Sequence, residues 1–442
     1  MGSMYSNKRC RFHGTHIIFF CCLLSSLTAA ETSNSRHVHT LTLVQEYKLT
    51  DCLETQPNVD FEASGIISVG NELYVCFDNM PAVAIVDREL SVCANSSARI
   101  IHLPQTLNEH HKKTSSPSSS AFAGRQPDEP QLPVEIGFEA ISMYNNTFVV
   151  VQEIDVHHTE TSTSHQARVK TYTTPLFETK LSDSLLHWHF SSENKGIEGV
   201  AVVSVGSYSF LLALCEGNHC KAGDEGQDKG HGIILVYYLN STSNSTSNST
   251  SKKTWVYNNN QIHLPVPFTD FSGMDVRTRK EEEKKKESIM GRSEMGEGGV
   301  GTEDEKRRVM VVGDIAVVSQ ESRGLFLGQY MVGRDETKPS GYSFNMMSEM
   351  TSEMTSEMTS SSSAALYTFP KEYCNIEGVT FLENGDIGVV SDKRKRNQDQ
   401  ECSVKDQSVH VFHVSDTFMA FDEEEESMLE MLVQENRQLE AE

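Results

Sequence analysis

The sequence carries little positive charge and, beyond its first 30 residues, has no long apolar run. Lys and Arg total 38 against 62 Asp and Glu, so the 442-residue chain has a formal net charge of -24. Such an acidic chain repels a phosphate backbone, which makes nucleic acid an unexpected partner and a cation a more natural one. After residue 30, no stretch approaches the roughly 20 apolar residues that a membrane-spanning helix needs.

Two motifs with well-defined chemistry are also missing. No Cys-x-x-Cys pair or Cys/His cluster has the spacing of a zinc site, and no Gly-x-Ser-x-Gly elbow marks a serine esterase. The segment from Cys215 to Cys220 contains His219 and looks like one half of a metal knuckle, but it lacks a matching second half. We therefore expect a disulfide between Cys215 and Cys220 rather than a metal site.

The first 30 residues have the pattern of a secretory signal peptide. Basic residues Lys8, Arg9 and Arg11 precede the apolar segment 17–24, and small residues follow at 28–30. The apolar segment is short for a bilayer span, so cleavage and secretion are predicted, and an uncleaved anchor is the alternative. After cleavage the chain has no predicted membrane span.

Cysteines and glycosylation sequons agree with secretion. Seven cysteines lie after the signal segment, and in an oxidising compartment we expect Cys374 to pair with Cys402 as well as Cys215 with Cys220. The three nearest the N-terminus could give one pair and one free thiol. Asn-x-Ser/Thr sequons, typical of surface loops, occur at Asn95, Asn145, Asn240, Asn244 and Asn248.

Residues 375–392 contain the pattern around which the chain is organised. Alternation from Ile376 predicts a strand, Asn384-Gly385 suits the positive φ of a two-residue hairpin loop, and residues 387–390 predict the second strand. In an antiparallel hairpin the start of the first strand lies beside the end of the second. Glu377 and Asp392 are therefore predicted to lie at the same end of this hairpin.

The same hairpin recurs four more times, which indicates an internal repeat. The repeats span residues 61–79, 138–153, 197–216 and 270–321. The first three have turns at 70–71, 145–146 and 206–207. The fourth is interrupted by a long insertion, after which its second strand begins at 308–312 and is followed by an apolar segment at 315–318. Third and fourth strands are predicted at 82–86, 99–103, 233–238 and 262–264, and a further strand at 409–414. Four short strands per unit are typical of a β-propeller blade.

These patterns predict an all-β, five-bladed propeller over residues 38–415. A strand within residues 38–49 can pair with the last repeat and seal the ring. A degenerate sixth blade, within residues 170–190 or in the strands after Gly313, is the alternative. Composition predicts disordered insertions at about 105–133, 277–307 and 335–363, and residues 416–442 form an acidic tail that could carry a short helix.

The openings of the five hairpins resemble those of secreted or periplasmic propellers of the SdiA-regulated type and of the related phytase-like, or esterase-like, domains. The matching segments are Glu62-Ala-Ser-Gly-Ile, Phe138-Glu-Ala-Ile, Gly196-Ile-Glu-Gly-Val, Phe271-Ser-Gly-Met and Asn375-Ile-Glu-Gly-Val. The resemblance covers about residues 38–415 and implies a ring of blades with a calcium site on or near the central axis.

The acids of the repeats independently suggest a cation site. Those that open the first strands would converge near the axis, and these predicted metal ligands are Glu62, Glu139, Glu198, Asp270 and Glu377. An outer ring would contain Asp78, Glu153, Glu216, Glu321 and Asp392, with the amides of Asn79, Gln152 and Gln320. Crowded carboxylates raise each other's pKa or recruit a cation, and hard oxygen ligands suit calcium. Alternatively, the acids only accept hydrogen bonds from backbone amides of neighbouring blades.

Three functional hypotheses follow. The first is a secreted, calcium-binding propeller that acts as an extracellular binding or scaffold module for an unidentified ligand or protein on its acidic face. The second is a calcium-dependent hydrolase of phosphoester or ester/lactone substrates. The third is a propeller that presents glycosylated loops to a protein partner. For a hydrolase, the candidate bases are His157, His158 and His219, and the candidate phosphate-holding cations are Arg323, Lys393 and Arg394.

Overall fold

A computed structural model describes residues 38–53, 60–89, 98–104, 137–158, 163–174, 177–190, 196–242, 252–279, 311–347, 364–396 and 398–414. The predicted signal segment, the sequons at Asn95, Asn244 and Asn248, most of the predicted insertions and the acidic tail lie outside these residues. Among the helices that are described, none has the length and apolarity to cross a membrane.

The described chain forms 22 strands and a few single-turn helices. The N-terminal elements are β1 (Val38–Thr40), β2 (Thr42–Lys48) and α1 (Leu49–Cys52). Blade 1 contains β3 (Ala63–Val69), β4 (Glu72–Phe77), β5 (Ala82–Asp87) and β6 (Arg99–His102). Blade 2 contains β7 (Ala140–Tyr144), β8 (Thr147–His158), β9 (Thr163–Thr173) and β10 (Lys180–Leu185).

The remaining three blades follow in chain order. Blade 3 contains β11 (Ile197–Val205), β12 (Tyr208–Cys215), a 3-10 turn (Asn218–Cys220), α2 (Gly223–Gly226), β13 (Gly232–Thr242) and β14 (Lys252–Leu264). Blade 4 contains β15 (Gly273–Thr278), β16 (Val311–Ser319), β17 (Gly324–Arg334), β18 (Tyr342–Met346) and β19 (Ala365–Thr368). Blade 5 contains β20 (Ile376–Phe381), β21 (Ile387–Ser391), α3 (Cys402–Lys405) and β22 (Ser408–His413).

Each blade is a separate sheet, and the N-terminal strand closes the ring. Blades 1 to 3 are four-stranded antiparallel sheets in chain order, whereas blade 5 has the order β20-β21-β22-β2. Residues 42–48 therefore supply the outermost strand of the last blade, which confirms the predicted closure. The preceding β1 instead pairs in parallel with β19 of blade 4.

Short turns set the register of the hairpins. Val69 pairs with Glu72 across Gly70-Asn71, and Gly70 has a φ of 58°. Asn145 and Asn146 form the equivalent two-residue loop, with φ values of 44° and 56°. The predicted two-residue loop at Asn384-Gly385 is wrong. In blade 5, Leu382 N donates to Asp386 O, which leaves a three-residue loop with only Gly385 at positive φ.

The number of blades is five, and the proposed sixth blade does not exist among the described strands. Residues 170–190 contribute to β9 and β10 of blade 2, and the strand after Gly313 belongs to blade 4. Residues 308–312 and 315–318, predicted as separate segments, fall largely in the single strand β16. The start of the predicted insertion 335–363 is also part of the fold, because Tyr342, Phe344 and Met346 of β18 are buried.

The core lies between adjacent blades. In the described part of the chain, the buried apolar residues group into one cluster for each blade-to-blade contact. Between blades 1 and 2, for example, the Phe148 and Phe177 rings stack at 4.0 Å and Tyr74 lies 4.8 Å from Phe148. This packing fixes how each innermost strand faces the axis.

Small residues allow the innermost strands to meet around a narrow axis. These strands (β3, β7, β11, β15 and β20) contact one another in cyclic order and line a void of only about 10 Å³. A Cβ on Gly65 would lie 3.0 Å from the Ala140 Cα, and one on Gly273 would lie 2.4 Å from the Glu377 carbonyl oxygen. A Cβ on Gly378 would lie 3.0 Å from the Gly65 Cα, so blade 5 approaches blade 1 just as closely.

Candidate functional site

The first strands of the blades begin, and the second strands end, at the same end of the ring. In blade 1, Asp78 N donates to Glu62 O at 2.9 Å, and in blade 5 Asp392 N donates to Asn375 O at 2.8 Å. We call this the acidic end and define it by five carboxylates on blades 1, 2 and 5. They are Glu62, Asp78, Glu139, Glu377 and Asp392.

The five predicted axial ligands do not occupy equivalent positions. Glu377 and Glu198 lie at a register shift in β20 and β11, immediately before the small residues Gly378 and Gly199. In blades 1 and 4 the equivalent positions before Gly65 and Gly273 hold serines, since Glu62 and Asp270 lie two residues earlier. The innermost polar ring is therefore Ser64, Glu139, Glu198, Ser272 and Glu377.

Two hydroxyl groups of this ring tie neighbouring blades together. Ser64 Oγ donates to Glu139, with 2.8 Å to both its main-chain oxygen and its Oε2. Ser272 Oγ lies 2.7 Å from Ile376 O of the next blade. These blade-to-blade hydrogen bonds come from serine hydroxyls and not from the backbone amides of the predicted alternative, which stays a prediction.

Asp270 forms hydrogen bonds within its own blade. Its Oδ1 accepts hydrogen bonds from Ser319 Oγ at 2.6 Å and from Glu321 N at 3.1 Å. These contacts hold the entry to β15 against the loop after β16. Both donors belong to the same blade as Asp270, so these contacts are structural, and its predicted role as an axial ligand stays a prediction.

The outer ring also needs one correction. Strand register makes Gln320, and not Glu321, equivalent to Asp78, Glu216 and Asp392. Gln320 Nε2 donates to Glu377 Oε1 at 2.6 Å, whereas Glu321 is exposed. Glu153 belongs to β8, and its side chain lies outside the described part of the structure.

Burial and mutual repulsion act on the carboxylates of blade 5. Burial raises the pKa of Asp392 to about 7, and Glu62 adds to the rise, while hydrogen bonding from Lys393 N opposes it. Burial raises the pKa of Glu377 well above its ordinary value, opposed by Lys395 and assisted by Asp392, Asp270 and Glu139. Neutral carboxyl groups near pH 7 are the expected consequence unless a cation neutralises the cluster.

Asp78 couples blade 1 to the same cluster. Burial by surrounding protein atoms raises its pKa, and the nearby Glu139, Asp392 and Glu62 raise it further. The residue nevertheless keeps an exposed surface, so water screens part of this repulsion. Asp78 is thus the member of the cluster most open to an ion from solution.

The basic residues near this end are largely engaged with protein groups. Lys393 Nζ forms an ion pair with Asp60, and Lys395 Nζ donates to Gln320 Oε1 at 3.1 Å. Arg394 Nη1 donates to Gln398 O at 3.1 Å. Arg323 is exposed and lies in the turn after β16. These contacts give the predicted phosphate-holding role no specific support.

The acidic end has the right donor chemistry for calcium but is not a preformed cage. Its carboxylate oxygens are hard ligands on consecutive blades. In the described residues, the group with three ligand atoms all within 4.8 Å of one another is His219, Asp228 and His231, elsewhere in blade 3. To coordinate a calcium ion at the acidic end, the Asp and Glu side chains would therefore have to change rotamer so that their carboxylate oxygens approach one another.

Of the predicted bases, His219 is the one whose side chain is described. His157 and His158 lie in β8, and their side chains fall outside the described part of the structure. His219 follows Cys215 in the loop between β12 and β13 and faces Asp228 and His231 of the same loop. Sequence reasoning missed this group because its three members are unevenly spaced.

A serine, a histidine and a glutamate in blade 5 superficially resemble a hydrolytic triad. Ser391 Oγ lies 2.8 Å from His410 Nε2, and His410 Nδ1 lies 3.4 Å from Glu46 Oε2. However, Ser391 is 1% exposed and His410 is fully buried, and the serine hydroxyl also contacts the carbonyl oxygen of Lys405. A substrate carbonyl cannot reach this hydroxyl, so we interpret the group as a buried polar network.

The predicted disulfides are confirmed. Cys215 pairs with Cys220 and Cys374 with Cys402. Cys52 is also disulfide-bonded, while Cys76 is a buried free thiol. This distribution agrees with the expected pair and free thiol among the N-terminal cysteines.

Comparisons with known proteins identify no family for this chain. No protein-family model and no curated protein sequence matches the chain. Solved structures with a similar fold include the glutaminyl cyclase of Myxococcus xanthus, with 7% identity, a TM-score of 0.33 and coverage of 85% of this chain and 96% of that one. The WD40 β-propeller domain of Doa1 shares 9% identity, with a TM-score of 0.29 and coverage of 86% and 99%. These similarities are too distant to support an argument about function.

Proposed function

We propose that this chain is a secreted, calcium-binding β-propeller that serves as an extracellular binding module. The observation that carries the proposal is the gathering of Asp78, Glu377 and Asp392 at one end of the ring, where burial first, and then repulsion from neighbouring carboxylates, raises the pKa of each group. A divalent cation would neutralise these groups without requiring them to be protonated.

Four carboxylates are the best candidates for ligands. Asp78 and Asp392 close the second strands of blades 1 and 5, while Glu139 and Glu377 lie at equivalent positions beside the axis. Glu139 and Asp392 each act electrostatically on both Asp78 and Glu377. Calcium suits this arrangement better than magnesium, because calcium accepts irregular oxygen coordination and magnesium demands near-octahedral geometry.

The extracellular part of the proposal depends on different observations. The basic and apolar segments at the N-terminus are typical of a signal peptide, and confirmed disulfides favour an oxidising compartment. Asn145 and Asn240 provide candidate glycosylation sites in the described residues. Asn145 lies in an exposed hairpin turn, where an oligosaccharide would not disturb the core.

Calcium binding by isothermal titration calorimetry tests the proposal. We expect one calcium ion to bind the purified mature protein, and we expect Asp78→Asn and Glu377→Gln each to weaken binding at least about tenfold, or about 1.4 kcal/mol. Each substitution removes one negative charge while conserving the shape of the side chain.

Glu321→Gln is the matched control, because Glu321 lies at the same end but is exposed and outside the cluster. Its calcium affinity should equal that of the wild type. Absence of calcium binding, or equal affinity in all three variants, would refute the acidic end as a calcium site.

A further inference from the structure

One loop of blade 3 gathers two imidazoles and a carboxylate. His219 Nε2 and His231 Nε2 both lie 3.4 Å from Asp228 Oδ2, and the two rings stack with centroids 4.3 Å apart. His219 is half-buried, whereas Asp228 and His231 are exposed. The group lies between β12 and β13, outside the carboxylate cluster described above.

The distances suit a shared metal ion better than two hydrogen bonds. A good N–H···O hydrogen bond spans about 2.7–3.2 Å, so contacts of 3.4 Å are long for direct bonding. Tetrahedral zinc has Zn–N bonds of about 2.0–2.1 Å, which by geometry separate adjacent ligand atoms by about 3.3–3.4 Å. The two nitrogen-to-oxygen distances in this loop match the distance expected between adjacent ligand atoms of a tetrahedral zinc site.

The loop holds these side chains on a rigid support. Asn218 is fully buried and its amide nitrogen donates to carbonyl oxygens of Gly226, Phe268 and Thr269. Its side-chain oxygen accepts a hydrogen bond from His231 N at 3.0 Å, and His219 N donates to His231 O at 2.9 Å. The two histidine backbones are thus bonded to each other and to the body of blade 3.

The backbone of His219 is held in an unusual conformation. His219 and Cys220 have φ values of 56° and 52°, a left-handed region that non-glycine residues seldom adopt. The Cys215–Cys220 disulfide closes the turn that contains them. Costly backbone conformations often mark functional positions.

We propose that His219, Asp228 and His231 bind a zinc ion through three protein ligands. Two imidazoles and one carboxylate are a donor set that zinc accepts in proteins, and a three-ligand site leaves a position for water or an external ligand. Because two ligands are exposed, that position faces solvent. This site is chemically distinct from the oxygen-only acidic end and does not depend on calcium binding there.

The experiment uses the untagged, full-length mature protein with Zn²⁺ followed by calorimetry and with Co²⁺ followed by its visible absorption. We expect one Zn²⁺ per chain, together with a cobalt spectrum typical of tetrahedral coordination by nitrogen and oxygen. His231→Ala and Asp228→Ala should each weaken zinc binding at least tenfold. Circular dichroism should show an unchanged fold, because both side chains are exposed.

Two controls separate this site from others on the protein. The exposed His413 pairs through Nδ1 with Oδ1 of the buried Asp386 at 2.9 Å, away from the loop of blade 3, and His413→Ala should leave zinc affinity unchanged. Asp78→Asn should also leave it unchanged, and excess Ca²⁺ should not displace the zinc. Failure to bind zinc, or equal affinity in the wild type and the His231 and Asp228 variants, would overturn the proposal.

Discussion

Gly273→Ala is expected to destabilise the propeller by about 3 kcal/mol, because the added methyl group has no space beside the axis. The new Cβ would lie 2.4 Å from the Glu377 carbonyl oxygen and 2.8 Å from the Gly378 Cα. Both are main-chain atoms of the next blade, so no side-chain rotation can relieve the clash. Blades 4 and 5 would have to separate, which would also disturb the position of Glu377.

Gly333→Ala is the matched control for this prediction. Gly333 is in β17 of the same blade, and a Cβ there meets no atom within 4 Å. Alanine is expected to be neutral or to stabilise the strand by up to about 1 kcal/mol. Urea unfolding followed by circular dichroism measures both variants, and similar losses in the two would contradict the account of the axis.

Removing the Cys374–Cys402 disulfide is expected to cost about 3.5 kcal/mol. The bond joins residues 28 positions apart, and the chain-entropy relation gives that value for a loop of this length. The loop contains Asp392 and Lys395, so its release should also loosen part of the acidic end. The double substitution by alanine avoids leaving a reactive thiol.

The short disulfide provides the internal comparison. Cys215 and Cys220 are only 5 positions apart, and the same relation predicts a cost of about 2 kcal/mol for their double alanine variant. Chemical denaturation of both variants under non-reducing conditions measures the difference. If the short bond contributed as much as the long one, loop closure would not explain the stabilisation.

The fold could be predicted because each repeat is recognisable from local sequence patterns. Alternating residues and turn signals such as Asn145-Asn146 identify the hairpins, and the N-terminal strand was expected to close the ring. The small residues also identify the position nearest the axis. In blades 1 and 4 these residues are Gly65 and Gly273, and the acids of both blades lie earlier in the chain than the residue just before the glycine. Aligning the repeats on these residues would have excluded Glu62 and Asp270 from the inner ring.

The candidate sites were harder to predict because they depend on loop geometry and register. The sequence places both Gln320 and Glu321 in the outer ring, and a shift of one residue decides which of the two side chains reaches Glu377. Similarly, His219 has its partners Asp228 and His231 in the same loop. That loop brings them together through the buried contacts of Asn218, which no local spacing reveals.

The pH dependence of stability, with and without calcium, tests the central claim most directly. A carboxyl group whose pKa is higher in the folded than in the unfolded chain stabilises the fold while protonated, and that contribution is lost as pH rises through the folded value. For Asp392 that value is about 7, against an ordinary value of 3.8. Without metal, the thermal midpoint should therefore fall from about pH 5 to about pH 8.

If calcium binds as proposed, it should reverse this trend, because it would bind the ionised carboxylates of the folded protein. We expect it to raise the thermal midpoint at about pH 8 far more than at about pH 5, and we expect Asp392→Asn to reduce both the pH slope and the calcium effect. A midpoint that calcium does not shift at either pH, with the same pH slope in Asp392→Asn as in the wild type, would contradict the account.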